Sequence, residues 1–346
     1  MQPIRALCRI AVLAVLGFVA AGPAQAQGDP VKLKVADTFP PKHYIAVNGT
    51  RWWMQRVEEL SGGQVKCEYF GAGQLGKIPD MLGHLERGVA DVAYVPPAFN
   101  EGKMPLSSVH NLPNLFSTSR IGSVAFLDTS LNTQILAHDY LRNGMRLLWG
   151  VMTSPYNVFT RSKPVKSIAD LKGLKLKSAG GYADNAARAL GIVAVDIPSP
   201  ETYQAIQLGT VDGAIFPTVS ARSYRVDEVT KHALYGLDMT VFFAPYAISE
   251  RVWQKLTPKV REVLQQASRE AMLRVADYTD AEESKMRKDF ADRGLQISVI
   301  SAAEKAEVKR LLDPLYAQWS KEMEGKGLPG KQVFEYYVAA IRKAQQ

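Results

Sequence analysis

Apolar and polar residues alternate along Val31-Lys32-Leu33-Lys34-Val35-Ala36, and the alternation breaks at Asp37-Thr38-Phe39-Pro40-Pro41. This predicts a strand delivered into a turn. A helical period then takes over from about residue 45 to 60 and stops at Ser61-Gly62-Gly63. Residues 65–70 read as a second strand feeding Gly71-Ala72-Gly73-Gln74-Leu75-Gly76, a further helix reaches Gly88, and residues 91–95 form a third strand. The order is β-α-β-α-β. A second unit repeats it: a serine-capped, glycine-stopped short helix over residues 167–173, a strand over 174–177, a helix over 184–190, a strand over 193–197, and a helix capped by Ser199 with Pro200 in its first turn. Between the units, Leu147-Leu148-Trp149 and Tyr156-Asn157-Val158-Phe159 read as β-rich crossover segments, and beyond Glu250 the pattern is helical, notably over residues 260–287 and 304–321.

The junctions that end the two units match in register. Leu85-Glu86-Arg87-Gly88-Val89-Ala90-Asp91-Val92-Ala93-Tyr94-Val95-Pro96 lines up with Ile206-Gln207-Leu208-Gly209-Thr210-Val211-Asp212-Gly213-Ala214-Ile215-Phe216-Pro217. In each, a helix ends on a left-handed glycine, an aspartate turns the chain, and a short strand runs into a proline. Two such units imply two similar α/β lobes whose strand ends and following loops face a shared crevice, where open α/β sheets bind ligands. The expected organisation is a signal segment over 1–26, a first lobe over 27–145, crossover strands and a second lobe over 146–250, and helices over 251–346 packing across both lobes.

The chain has 346 residues, 47% hydrophobic and 22% charged, ordinary globular composition and enough for two cores. Arg5 and Arg9, the apolar run over 10–21 and Ala24-Gln25-Ala26 have the form of a cleaved export signal. That run is shorter than the roughly 20 residues a membrane span needs. Periplasmic export follows as the expectation. Cys8 would leave with the signal, so Cys67 stands alone in the mature chain and reads as a small hydrophobe on a strand. The formal net charge of +8 falls by two with the two arginines and is scattered along the chain. An exported protein meets little nucleic acid, so nucleic acid is excluded as partner and the excess reads as mild steering toward anions.

Gly71-Ala72-Gly73-Gln74-Leu75-Gly76 satisfies G-x-G-x-x-G, but Asp91 begins the next strand, where a ribose-binding carboxylate would end one. It reads as a glycine-rich turn. His43, His84, His110, His138 and His232 are widely spaced with no metal-ligand spacing, and no G-x-S-x-G occurs. No cofactor, metal site or catalytic residue is expected. What remains is a binding cleft. Lys177 ends the first strand of the second unit, where an ammonium can pair with an anion. Tyr94 and Phe216 stand just before Pro96 and Pro217, Phe39 lies in the turn after the first strand, and Phe242 opens the cluster Phe242-Phe243-Ala244-Pro245-Tyr246. Of Trp52 and Trp53, at least one must face outward or into a cleft, because neighbours on a helix point apart.

At these residues the chain resembles the substrate-binding proteins of TRAP transporters, the DctP-type family. The resemblance rests on Gln74-Leu75-Gly76, on Ser167-Ile168-Ala169-Asp170-Leu171-Lys172-Gly173-Leu174-Lys175-Leu176, on Glu201-Thr202-Tyr203 followed by Gln207-Leu208-Gly209, and on Val211-Asp212-Gly213, in the expected order across the mature chain. It implies an α/β, two-lobed, periplasmic-binding-protein-like clamshell with mixed sheets and long C-terminal helices bracing both lobes. It further implies a monomeric receptor, not an enzyme, that closes on a small organic anion and delivers it to TRAP permease membrane subunits. Where the family usually has an arginine, this chain has Lys177, which keeps the charge and loses the planar fork. Phe216 stands where an asparagine is frequent, and Tyr156-Asn157 where some members carry another arginine. One cation and several rings point away from sialic acid or a C4-dicarboxylate and toward a hydrophobic or aromatic monocarboxylate. The alternatives are an extracytoplasmic ligand-binding sensor subunit and an exported hydrolase using the same cleft.

Overall fold

The computed structural model describes residues 30–346, so the signal segment and Cys8 lie outside the described residues. Eleven strands form two sheets: β1 (Val31–Ala36), β2 (Val65–Phe70), β3 (Val92–Tyr94), β4 (Met145–Met152), β5 (Asn157–Thr160), β6 (Lys175–Ser178), β7 (Val193–Asp196), β8 (Gly213–Phe216), β9 (His232–Tyr235), β10 (Phe243–Ser249) and β11 (Gln296–Val299). The first sheet runs β2-β1-β3-β10-β4 and the second β11-β9-β5-β8-β6-β7.

Both sheets begin with the same construction. β1 pairs parallel with β2 and β3, and β6 pairs parallel with β7 and β8. The repeated junction explains the likeness. Gly88 and Gly209 take left-handed φ values of 73° and 74°, a conformation that costs a side-chain-bearing residue more than glycine. Asp91 and Asp212 then close the sheet: Asp91 exchanges bonds with the backbone of Lys34 and Asp212 with that of Lys175, the two carboxylates each accepting a backbone N–H at 2.9 Å.

The sheets also exchange antiparallel strands. β4 and β10 pair with each other and β10 pairs with β3, so both lie in the first sheet although their residues fall within 146–250 or at its edge. β5 pairs antiparallel with β8 and β9 in the second. The chain therefore passes between the lobes from β4 to β5 and again from β9 to β10. The first passage takes only the four residues 153–156.

The third link is the helix Pro258–Asp292, longer at both ends than the periodicity suggested. Thr257 caps it, accepting the Val260 N–H at 3.3 Å. Val260, Leu264, Ala267, Ala271 and Val275 recur at spacings of three and four and are buried against the first lobe's core, while Phe290 near its end belongs to a core of the second. Apolar burial on both lobes makes it a brace. The helical stretch expected over 304–321 is two helices, Ala302–Leu312 and Pro314–Gly325, because Pro314 cannot donate the bond that would continue the first. Trp53 is fully buried and donates to Ser268 Oγ on the long helix at 3.1 Å, whereas Trp52 is only partly buried, under the Arg274 guanidinium. Cys67 is half-buried against the first core, and burial pushes its thiol up to about 12. No helix among the described residues is long and apolar enough to cross a membrane.

Candidate functional site

The strand ends of both sheets converge on a narrow cavity between the lobes, with an interior volume of about 30 Å³. The first lobe contributes Phe39 and His43 from the turn after β1 and Tyr94 from the end of β3. The second contributes Phe216 and Pro217 at the end of β8, then Ser220 and Tyr224 from the short helix Thr218–Ser223 and its C-cap. The passages between the sheets supply Thr153, Tyr156 and Phe242.

Local chemistry sets the first wall. Asp37, directly after β1, is fully buried; its carboxylate accepts the Phe39 N–H at 2.5 Å, the Thr50 hydroxyl at 2.8 Å and the Tyr246 hydroxyl at 2.7 Å. These bonds fix the turn that carries Phe39 and His43. Burial raises the Asp37 pKa, opposed by those same bonds. Phe39 stacks on His43 (4.5 Å, 22°) and tilts on Tyr94 (4.6 Å, 40°), so the rings support one another. The two walls touch, because His43 meets Tyr224 of the other lobe with ring centroids 5.0 Å apart and Ser220 Oγ lies 3.5 Å from the Tyr44 hydroxyl.

Lys177 sits one layer behind the second wall. It is 1% exposed, and its Nζ lies 4.8 Å from the centroid of Phe216, whose ring lines the cavity. No carboxylate lies within ion-pair distance of it among the described residues. Desolvation lowers its pKa to about 8, against the opposing pull of Asp196 and Asp184.

Of the eight residues singled out in the sequence, Phe39, Tyr94, Tyr156, Phe216 and Phe242 line this one cavity. Lys177 abuts it through Phe216. Asn157 pairs with Phe216 across the sheet, yet its amide donates to Pro155 O at 3.3 Å and Thr218 Oγ1 at 3.4 Å, and it lines a separate depression beside Glu283 and Arg287. Pro96 is buried outside the lining; its carbonyl accepts the Phe99 N–H at 3.2 Å and the Asn100 amide at 3.0 Å. His43, Ser220 and Tyr224 also line the cavity and are not among those eight. Their signal is positional: each follows a strand end by four to eight residues, in the loop or first helix after it.

The comparisons with known proteins agree with this geometry. Residues 36–322 match the family model of DctP, the bacterial extracellular solute-binding proteins of family 7. A curated relative, the outer membrane transporter protein TsaT of Comamonas testosteroni, is 23% identical over 97% of this chain and 97% of its own length. A TRAP solute-binding protein of Rhodoferax ferrireducens, crystallised with copurified benzoate, superposes with a TM-score of 0.83 at 25% identity, covering 91% of this chain and 98% of that one. A marine metagenome TRAP solute-binding protein superposes at 0.84, 24% identical, over 92% and 100% of the two chains. With two lobes built on matching junctions, a cavity between them and a family match over most of its length, the chain belongs to the DctP family of bacterial extracellular solute-binding proteins.

Proposed function

We propose that this solute receptor captures a hydrophobic or aromatic monocarboxylate between its lobes, releases it unchanged to TRAP permease subunits, and works in the periplasm as a monomer. The observation that carries the reading is a buried lysine with no carboxylate in ion-pair contact, set behind a cavity walled mainly by aromatic rings. A buried ammonium without a contact partner, its charge only partly offset by Asp196 and Asp184, is costly, and an arriving carboxylate supplies that partner. Phe39, Tyr94, Tyr156, Phe216 and Phe242 offer the solute's apolar body a ring-lined bed, and the lining itself holds no lysine or arginine, so a second carboxylate would find no partner beyond the Lys177 behind it. The copurified benzoate of the Rhodoferax relative supports the same class.

The permease step follows the family membership, and the depression at the lobe connections is consistent with hinge closure: Glu283 of the long helix accepts from Ser154 of the β4–β5 passage at 2.7 Å and from Thr218 of the second lobe. Calorimetric titration of the purified protein with benzoate and with succinate tests the solute class. Stoichiometric binding of benzoate in preference to succinate, with the acid recovered unchanged by chromatography, is the expected result; turnover of the acid, or preference for the dicarboxylate, would overturn it.

A further inference from the structure

His43 holds a hydrogen that no protein group takes. The backbone N–H of Ile45 points at His43 Nδ1 at 3.2 Å, and an N–H can only donate, so Nδ1 carries the lone pair and the proton resides on Nε2. Nε2 is buried and has no hydrogen-bond partner among the described residues. Of the buried polar atoms in that condition, it alone belongs to a residue lining the interlobe cavity. The ring cannot swing away to solvent, because Phe39 stacks on it at 4.5 Å and Tyr44 at 4.7 Å, while Tyr224 of the opposite lobe closes in at 5.0 Å. Nor does it gain from protonation: burial lowers its pKa to about 3, so at neutral pH it presents a single neutral donor.

We propose that His43 Nε2–H is a specificity-determining donor that reads an uncharged oxygen acceptor on the solute, so that the preferred ligand is an aromatic carboxylate bearing a ring hydroxyl. The inference rests on the monocarboxylate reading and refines it. Lys177 and His43 belong to opposite lobes, so a solute with a carboxylate for one and a hydroxyl for the other bridges them. A buried donor left unpaired by an apolar solute is penalised, which makes such a site select for an oxygen more sharply than an apolar pocket selects for size.

The test compares size-matched probes by calorimetry: benzoate, the three monohydroxybenzoates and the three methylbenzoates, against the wild-type protein, His43→Phe and His43→Gln. Wild type should bind the hydroxybenzoate of one ring position about tenfold or more tighter than the methylbenzoate of the same position. His43→Phe, whose phenyl ring keeps the stack, should erase that preference, read as the ratio of hydroxybenzoate to methylbenzoate affinity within the variant itself. His43→Gln, which retains a donor at a similar reach, should recover part of it. If His43→Phe fails to fold, as its melting curve would show, the wild-type ratios and His43→Gln decide. Equal affinities for hydroxyl and methyl at every ring position, or a preference that survives in His43→Phe, would overturn the inference; the hydrogen would then be spent on the face of Tyr224. Binding of benzoate with no hydroxyl preference sinks this inference alone. Binding of none of the seven acids sinks the monocarboxylate reading and this one with it.

Discussion

Gly88 to Asp91 in the first lobe and Gly209 to Asp212 in the second perform the same tasks with the same residue types, and yet the walls they support differ in chemistry. Each glycine turns left-handed, each aspartate binds the backbone of the neighbouring strand, and each following strand pairs parallel with the lobe's first strand. In the register so defined, Ala36 faces Ala93 and Lys177 faces Ala214, so Ala36 and Lys177 occupy equivalent places at the ends of β1 and β6. One lobe ends its strand in a methyl group and then the buried Asp37 network. The other carries a buried ammonium at that place, one residue before β6 ends at Ser178. The scaffold residues are therefore those that must satisfy backbone geometry, while the strand-end residues carry no such constraint and differ between the lobes.

The comparison breaks most readily at Lys177. Replacing it by Met should weaken binding of an aromatic carboxylate about 100-fold, because the anion would be buried without its partner, and should leave the melting temperature unchanged or raised. An unchanged Kd in calorimetry would place the anion elsewhere.

Acid should act on the opposite lobe. His43 and His110 both belong to the first, both fully buried, with burial lowering their pKa values to about 3 and about 4 from 6.5. The unfolded chain then binds more protons than the folded one between about pH 6.5 and those values, so stability is complete above that window and falls as pH drops through it. Each histidine should contribute a slope of about 1.4 kcal/mol per pH unit within it. Asp37, Asp139 and Glu283, whose pKa values burial raises, take up protons on folding and oppose this slope. Denaturant titrations at pH 7 and pH 5 should show the loss, and His110→Gln should flatten it; an identical slope in that variant would rule His110 out.

Alkali should act on the second lobe, and differently on affinity and stability. The Lys177 pKa of about 8 lies below its ordinary 10.5, so the folded protein sheds this proton first. As pH rises through 8 the cost of burying the charge is relieved and stability should rise, while affinity for a carboxylate should fall by up to about tenfold per pH unit. Lys177→Arg, charged throughout, should make the affinity profile flat between pH 7 and 9.5. The smallest effect sharpens the likeness itself: Asp91→Ala and, in a Lys163→Ala background that removes the Asp212 ion pair at 3.1 Å, Asp212→Ala should each cost about 1 kcal/mol, since each then removes one carboxylate acceptor from an equivalent backbone N–H. A loss confined to one of them would show that the two junctions are not energetically alike.

Much of this architecture was legible because its signals are local. Gly88 and Gly209 announce left-handed turns, Pro96 and Pro217 stop strands, and the period of two in β1 needs only six residues to be seen. The π-helical turn Ala46–Arg51 shows the limit, because it lies where Gly49 packs against Trp149, a contact across one hundred residues, whereas the break at Pro314 is itself a local signal. The cavity lining was legible in part by the same rule. Tyr94, Phe216 and Phe39 stand beside strand ends and could be assigned to the crevice. Asn157 and Pro96 stand there too, but the Asn157 amide is taken by Thr218 and Pro155, and Pro96 turns its carbonyl to Asn100.

The sequence by itself determined the two-lobed plan, the matching junctions and the residue types that end the strands, because these follow from backbone conformational preference and short-range periodicity. Only the tertiary structure decided that β10 enters the first sheet, that Lys177 lies behind Phe216, and that His43 meets Tyr224 with its Nε2 proton unclaimed. Those outcomes depend on which side chains meet across large chain separations, and burial, orphaned donors and uncompensated charge exist only once the two lobes have closed around the same space.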